Sequence, residues 1–157
     1  MVVSMMITFD VSVPILKPVQ EVFTYVAHAE HGSAWNSAVR EVVALGSGPV
    51  RVGSRYRTTR DLPGGVVENV YEVIEIVPNQ VLSIRIVSGP TPFTYRYHFS
   101  EQAGVTTVDL HAEVDSEGIF DLLGAKARLL PGIVLTRLMK NGVRKNLETL
   151  KSILETA

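Results

Sequence analysis

Apolar and polar residues alternate from Ile7 to Ile15 (ITFDVSVPI), a period of two that predicts a strand, with Pro14 at its end where a missing donor does little harm. The period then lengthens. Pro18 suits the first position of a helix, Gln20 and Glu21 sit near the positive end of its dipole, and Val19, Val22, Phe23 and Val26 form one apolar stripe. A break near Glu30 or Gly32 leads to a short helix over His31 to Trp35. From Val39 the period returns to two, and strands are predicted over Val39–Leu45, Ser54–Leu62, Val66–Val77, Val81–Val87, Thr91–Ser100 and Val105–Asp115. Turn clusters separate them, including Gly46-Ser47-Gly48-Pro49, Pro78-Asn79-Gln80 and Glu101-Gln102-Ala103-Gly104. Leu123, Ala127 and Leu130 then lead to Pro131-Gly132, which splits the helical pattern. Beyond it Val134, Leu138, Val143, Leu147, Leu150 and Leu154 predict a helix of about 25 residues, some 38 Å long.

The order is strand, two helices, six antiparallel strands, long helix (β-α-α-β6-α). The expected class is α+β, with a curved antiparallel sheet of about seven strands around the C-terminal helix. A bent sheet and a rod do not mate along their whole length, so a cavity between sheet and C-terminal helix is the expected binding site.

Strand parity sorts the side chains around that cavity. Phe93, Tyr95, Tyr97 and Phe99 face inward, as do Leu82, Ile84 and Ile86, and Val108, Leu110, Ala112 and Val114. On the strand from Ser54 the inward set is Ser54, Tyr56, Thr58 and Arg60. Tyr71-Glu72-Val73-Ile74-Glu75 breaks the alternation, which a bulge would explain, and leaves the direction of Glu72 open. A four-residue turn sets Arg96 opposite Asp109 on the outer face, where His98 and His111 also lie. The expected ligand contacts are Trp35 at the mouth, Tyr56, Tyr71, Ile84, Tyr95, Tyr97, Leu110 and Leu138. Arg60, His31 and Tyr95 are the candidate catalytic groups. Arg60 would hold an enolate or carboxylate if it points inward, and His31 shares a helical face with Trp35 if the helix is continuous through both. Tyrosine donates a proton but is a poor base at neutral pH.

Three segments carry a likeness to a known family: PVQEVFTYVAHAEHGSAWNSAVREV, GPVRVGSRYR and RLMKNGVRKNLETLKSILE. With the element order, they resemble the helix-grip superfamily of START-related lipid carriers and polyketide cyclase/dehydrase-like proteins (SRPBCC), over nearly the whole chain. The resemblance implies one helix-grip domain over residues 1–157. It also implies a hydrophobic small-molecule ligand, a lipid or a polyketide-like compound. A polyketide cyclase/dehydratase in the same cavity is the alternative, and a protein-interaction module with an incidental lipid is a third.

Composition narrows the remaining classes. The 157 residues include no cysteine, which excludes a disulfide scaffold, a thiol nucleophile and a cysteine-ligated zinc. His28-x-x-His31 has ligand-like spacing but no third ligand beside it, so no metal is expected, and no cofactor. A net charge of -1 argues against nucleic acid as a partner. No apolar run reaches the roughly 18–20 residues of a membrane span, so no integral membrane association is expected and the cytoplasm is the default location. A homodimer is left open. Ser33 and Ser37 lie in no nucleophile elbow. Arg137, Lys140 and Arg144 form a basic stripe on the last helix, either its solvated face or a surface for an anionic membrane.

Overall fold

A computed structural model of the protein describes residues 6–62, 64–117 and 125–157. Seven strands form one antiparallel sheet: β1 Met6–Ile15, β2 Val39–Ala44, β3 Arg55–Leu62, β4 Gly65–Val77, β5 Val81–Ser88, β6 Phe93–Gln102 and β7 Val105–Asp115. Their lateral order is β1-β7-β6-β5-β4-β3-β2, so five consecutive hairpins are closed by β1 pairing with β7. Helix α1 spans Val19–Ala27, a 3-10 turn covers Ala29–His31, and α2 is Gly32–Trp35. A second 3-10 turn, Ala125–Leu129, precedes the long C-terminal helix α3, Gly132–Thr156. This is the curved antiparallel sheet with a long C-terminal helix that the element order predicted, and the helix-grip architecture that the resemblance implied. Leu123 lies outside the described residues.

Burial alternates nearly strictly along β3 and β7, and along β1 it does so without exception from Ile7 to Ile15. Its inward side chains meet those of β7, where Val108, Leu110, Ala112 and Val114 are all buried. The bulge expected in β4 is present: Val73 pairs with Ile84 while Glu75 pairs with Ser83, leaving Ile74 as the extra residue. It resets the parity, so Tyr71 and Val73 face inward. Glu72 points outward and accepts a hydrogen bond from Arg55 Nε at 2.9 Å.

Helix α3 begins after Pro131, which cannot continue a helix backwards and caps this one. It buries Leu135, Met139, Val143, Leu147, Leu150 and Leu154. Val134 is only half-buried and Leu138 is 43% exposed, so the stripe expected through those two lies one residue away, on Leu135 and Met139. Leu147 and Leu150 are fully buried, each contributing about 1.5–3 kcal/mol by removal from water. The helix packs on β1 and α2. Its last turns are latched to the end of β1: Lys151 Nζ donates to the Pro14 carbonyl at 2.7 Å, and Glu155 accepts from the Leu16 amide at 2.8 Å. Just beyond that end of β1, Glu101 accepts the Val19 amide at 2.7 Å, placing a carboxylate at the positive end of α1.

The β6–β7 hairpin is tighter than its sequence suggested. Gln102 pairs with Val105, leaving a two-residue turn of Ala103 and Gly104, both at positive φ. The register therefore places Arg96 opposite His111 and His98 opposite Asp109. Arg96 donates instead to Glu75 at 3.0 Å across the outer face.

Candidate functional site

The inward face of β2–β6, roofed by the end of α1, the first 3-10 turn and α2, encloses a cavity of about 100 Å³. That exceeds the ~10–15 Å³ needed for one water, and falls below the ~300–1,000 Å³ of common ligand pockets. A space of this size seats a ring-sized group. Among the described residues no side chain of α3 lines it. The sequence expectation of a cavity between sheet and C-terminal helix is corrected accordingly: α3 covers β1, and the opening lies over the other half of the sheet.

Six of the expected contacts are on the wall: Trp35, Tyr56, Tyr71, Ile84, Tyr95 and Tyr97. Two are not. Leu110 is buried in the core on β7, away from the cavity, and Leu138 stands exposed on the outer side of α3. The aromatic rings form a continuous wall. Tyr56 stacks on Tyr71 with centroids 5.2 Å apart, and Tyr97 meets Tyr95 and Trp35 edge to face at 6.4 and 6.5 Å. Phe93 lies 4.2 Å from Tyr95 and completes the row toward Arg60. Such pairs prefer offset or edge-to-face geometry because the ring faces are negative and the edges positive.

Polar groups are few, and most have capacity left. Among the described residues the hydroxyls of Tyr71, Tyr95 and Tyr97 have no hydrogen-bond partner in the protein, whereas Tyr56 has Ser54. Burial pushes all four phenols up from their ordinary range, so they stay protonated and act as donors. The Trp35 Nε1–H is buried without a partner among the described residues.

Arg60 is the one cation on the described wall. Its direction, left open by the sequence, is inward, and it is only 8% exposed. Its Nη1 donates to Thr91 Oγ1 at 2.6 Å and to Asn69 Oδ1 at 3.4 Å, and its guanidinium lies 5.8 Å from the Phe93 ring centroid. Among the described residues no carboxylate pairs with it. Burial lowers its pKa from the ordinary value and the Tyr95 phenol opposes that shift; arginine starts so high that the group remains charged at neutral pH. Two neutral acceptors use part of its five N–H donors.

Asn69 and Thr91, which hold Arg60, are not among the residues that sequence reasoning selects. Both are fully buried, and both bond to the Pro90 carbonyl, Asn69 through Nδ2 and Thr91 through Oγ1. The signal available was the turn Gly89-Pro90-Thr91-Pro92, unusually rigid for a hairpin connection.

His31 lies elsewhere. Its ring stacks on Tyr25 with centroids 4.0 Å apart, its Nδ1 is 3.0 Å from the Tyr25 carbonyl oxygen, and it faces an outer groove with Lys17 and His28. The helical face shared with Trp35 does not form, because the 3-10 turn winds more tightly than an α-helix. Among the described residues, no aspartate, glutamate or histidine lines the cavity, and no three such residues gather as a metal site.

The seven-stranded curved sheet with its helices and long C-terminal helix defines a helix-grip fold. The chain belongs to the polyketide cyclase/dehydrase and lipid transport family, whose model matches residues 6–155. Among solved structures it is similar to a START superfamily protein from Mycobacterium smegmatis, with a TM-score of 0.74 at 14% identity over 96% of this chain and 98% of that one. It is also similar to the Zhui aromatase/cyclase from Streptomyces sp. R1128, with a TM-score of 0.70 at 15% identity over 96% and 94%. The di-domain aromatase/cyclase BexL of the BE-7585A biosynthetic pathway gives a TM-score of 0.67 at 17% identity, over 96% of this chain and 49% of that one. At these identities the likeness establishes the fold. No curated protein matches the sequence. Among the described residues no helix is long and apolar enough to cross a membrane.

Proposed function

We propose that the protein binds and carries a hydrophobic small molecule that has an aromatic or ring-shaped body and an anionic or carbonyl oxygen. The observation that carries this reading is Arg60, a charged guanidinium held by neutral acceptors in the wall of an otherwise aromatic and aliphatic cavity. Burying a cation without a counter-charge costs several kcal/mol, a cost that a ligand oxygen would offset on binding. The phenols of Tyr95 and Tyr97 would supply further donors along the same wall. The family includes lipid transport by description, which supports a non-covalent role.

The second reading is cyclisation or dehydration of a polyketide-like substrate. It is favoured by Arg60 beside Tyr95, since a cation and a proton donor together stabilise a developing enolate. It lacks a base: cyclisation begins with removal of a proton next to a carbonyl, and the described lining holds neither carboxylate nor imidazole. Carriage needs no base, and is preferred for that reason. Native mass spectrometry of protein purified from its own host tests the proposal. A retained aromatic or lipid-like acid or ketone, lost in Arg60→Met, is the expected result. Turnover of an unreduced poly-β-ketone mimic, abolished by Tyr95→Phe, would overturn carriage in favour of the cyclase reading.

A further inference from the structure

The basic segment on the last helix is unused by the cavity. Between Asp121 and Glu148 the sequence holds six of its fifteen Lys and Arg residues and none of its sixteen Asp and Glu residues. The rest of the chain is correspondingly acidic. In the structure this stretch also carries prominent apolar side chains: Leu129 is 86% exposed and Ile133 71%, with Leu138 at 43%. Ile133, Arg137, Lys140 and Arg144 are spaced by four, three and four residues, and so share one strip of α3. Arg128 belongs to a different arrangement, an ion pair with Glu117 at 3.0 Å, and contributes no charge to the strip.

That same ion pair fixes where the face lies. Glu117 follows the end of β7, and on β7 Val114 is the partner of Phe93, the ring beside Arg60. The latch of Lys151 and Glu155 to the far end of β1 means that α3 runs back along that strand toward the same end of the sheet. Exposed leucine and isoleucine, a strip of positive charge and the Arg60 end of the cavity thus occur at one end of the molecule.

We propose that the start of α3 and the turn before it form a docking surface for an anionic lipid bilayer, at which ligand is taken up or delivered. Single apolar side chains that stand largely in water, set among cations, match the interface of a bilayer. There, apolar groups enter the acyl boundary and bases meet lipid phosphates. Docking of this kind requires no particular ligand in the cavity.

The test is co-sedimentation of the intact protein with vesicles of phosphatidylcholine alone and with about 30% phosphatidylglycerol. Binding is expected only to the anionic vesicles, weakening as sodium chloride is raised from about 0.1 to 0.5 M because the Debye length shortens. The triple variant Arg137→Gln/Lys140→Gln/Arg144→Gln should bind about 100-fold more weakly, at roughly fivefold for each charge. Leu129→Ser/Ile133→Ser should lose about tenfold or more. Arg137, Arg144, Leu129 and Ile133 are exposed and Lys140 is half-buried, so thermal melting is expected to change little. Equal partition to both kinds of vesicle, no binding to either, or wild-type binding by the triple variant overturns the proposal. Retention on immobilised polyglutamate without vesicle binding overturns it in favour of an acidic protein partner.

Discussion

Arg60→Met separates what the guanidinium does for the fold from what it does for a ligand. Methionine keeps the length and the apolar stem while removing the charge. On the cost side, the variant loses a charge-assisted hydrogen bond to Thr91 at 2.6 Å, about 1.5–3 kcal/mol, and the contact with Phe93, about 0.5–1 kcal/mol. It also leaves Asn69 Oδ1 buried with no donor from Arg60, about 1–3 kcal/mol. On the other side, an unpaired buried cation no longer has to be desolvated, which is worth several kcal/mol. The two sides cancel to within about 2 kcal/mol, so the variant should fold with nearly the wild-type denaturation midpoint.

Ligand binding should not be so tolerant. A charge-assisted bond to a ligand oxygen of about 1.5–3 kcal/mol corresponds to roughly 10- to 100-fold in affinity. Trp35 is the only tryptophan and lies on the cavity wall, so its emission reports on the site directly. Titration with 2-naphthoate should show that loss in Arg60→Met, while 2-methylnaphthalene, the same ring system without the oxygens, should bind the variant at least as well as the wild type. Parallel losses for both compounds, or a variant destabilised by more than about 3 kcal/mol, would refute the reasoning and make Arg60 a structural residue.

Tyr95→Phe and Tyr97→Phe each remove a hydroxyl that has no partner among the described residues. Stability measured by urea titration should therefore be unchanged or slightly raised, while 2-naphthoate affinity falls by less than about tenfold. Gly89→Ala should destabilise by about 2 kcal/mol or more and weaken 2-naphthoate binding as well: φ is +96° there, and a Cβ would collide with the Glu68 carbonyl and lie 2.9 Å from Asn69 Nδ2. His111 is held above its ordinary pKa chiefly by its hydrogen bond to Asp10. Its contribution is fully present below the unfolded pKa and lost as pH rises through the folded one. The melting-temperature deficit of His111→Ala should therefore be larger at about pH 5.5 than at about pH 8.5, and an equal deficit at both would count against the ion pair. Leu147→Ala, at a fully buried site on the inner face of α3, should cost about 2–5 kcal/mol by chemical denaturation.

What could be read from the sequence came from local periodicity. Strand parity gave the inward direction of Tyr56, Tyr95 and Tyr97 but left that of Arg60 open, and the broken alternation around Ile74 marked a bulge that exists. Lateral position was out of reach. Parity places Leu110 on the inner face but does not say that β7 lies away from the opening while β2–β6 lie under it. The register of Arg96 was hidden because a two-residue turn with both residues at positive φ is signalled by Asn-Gly or Gly-Gly, and here Ala103 occupies the first position. Leu138 differs by one residue from the true stripe. Stepping back by fours from Leu147 reaches Val143, Met139 and Leu135, and Leu138 falls about 100° off that line.

The turn from β5 to β6 shows where the molecule accepts local cost, and for what. Gly89 and Thr91 both have positive φ, and for a β-branched residue such as Thr91 that backbone is a costly outlier. Asn69 is fully buried yet commits its amide to the Pro90 carbonyl, and Thr91 does the same with its hydroxyl. These arrangements add little apolar packing. Their common effect is to hold the Thr91 and Asn69 oxygens where Arg60 Nη1 can donate to both, which fixes the guanidinium beside Phe93. A cation needed only for folding would be less costly on the outer face, where Arg55 and Arg96 find carboxylates at 2.9 and 3.0 Å with little desolvation. Strain, burial and a lone charge meeting at one point of the cavity wall are the arrangement that the proposed ligand contact at Arg60 calls for.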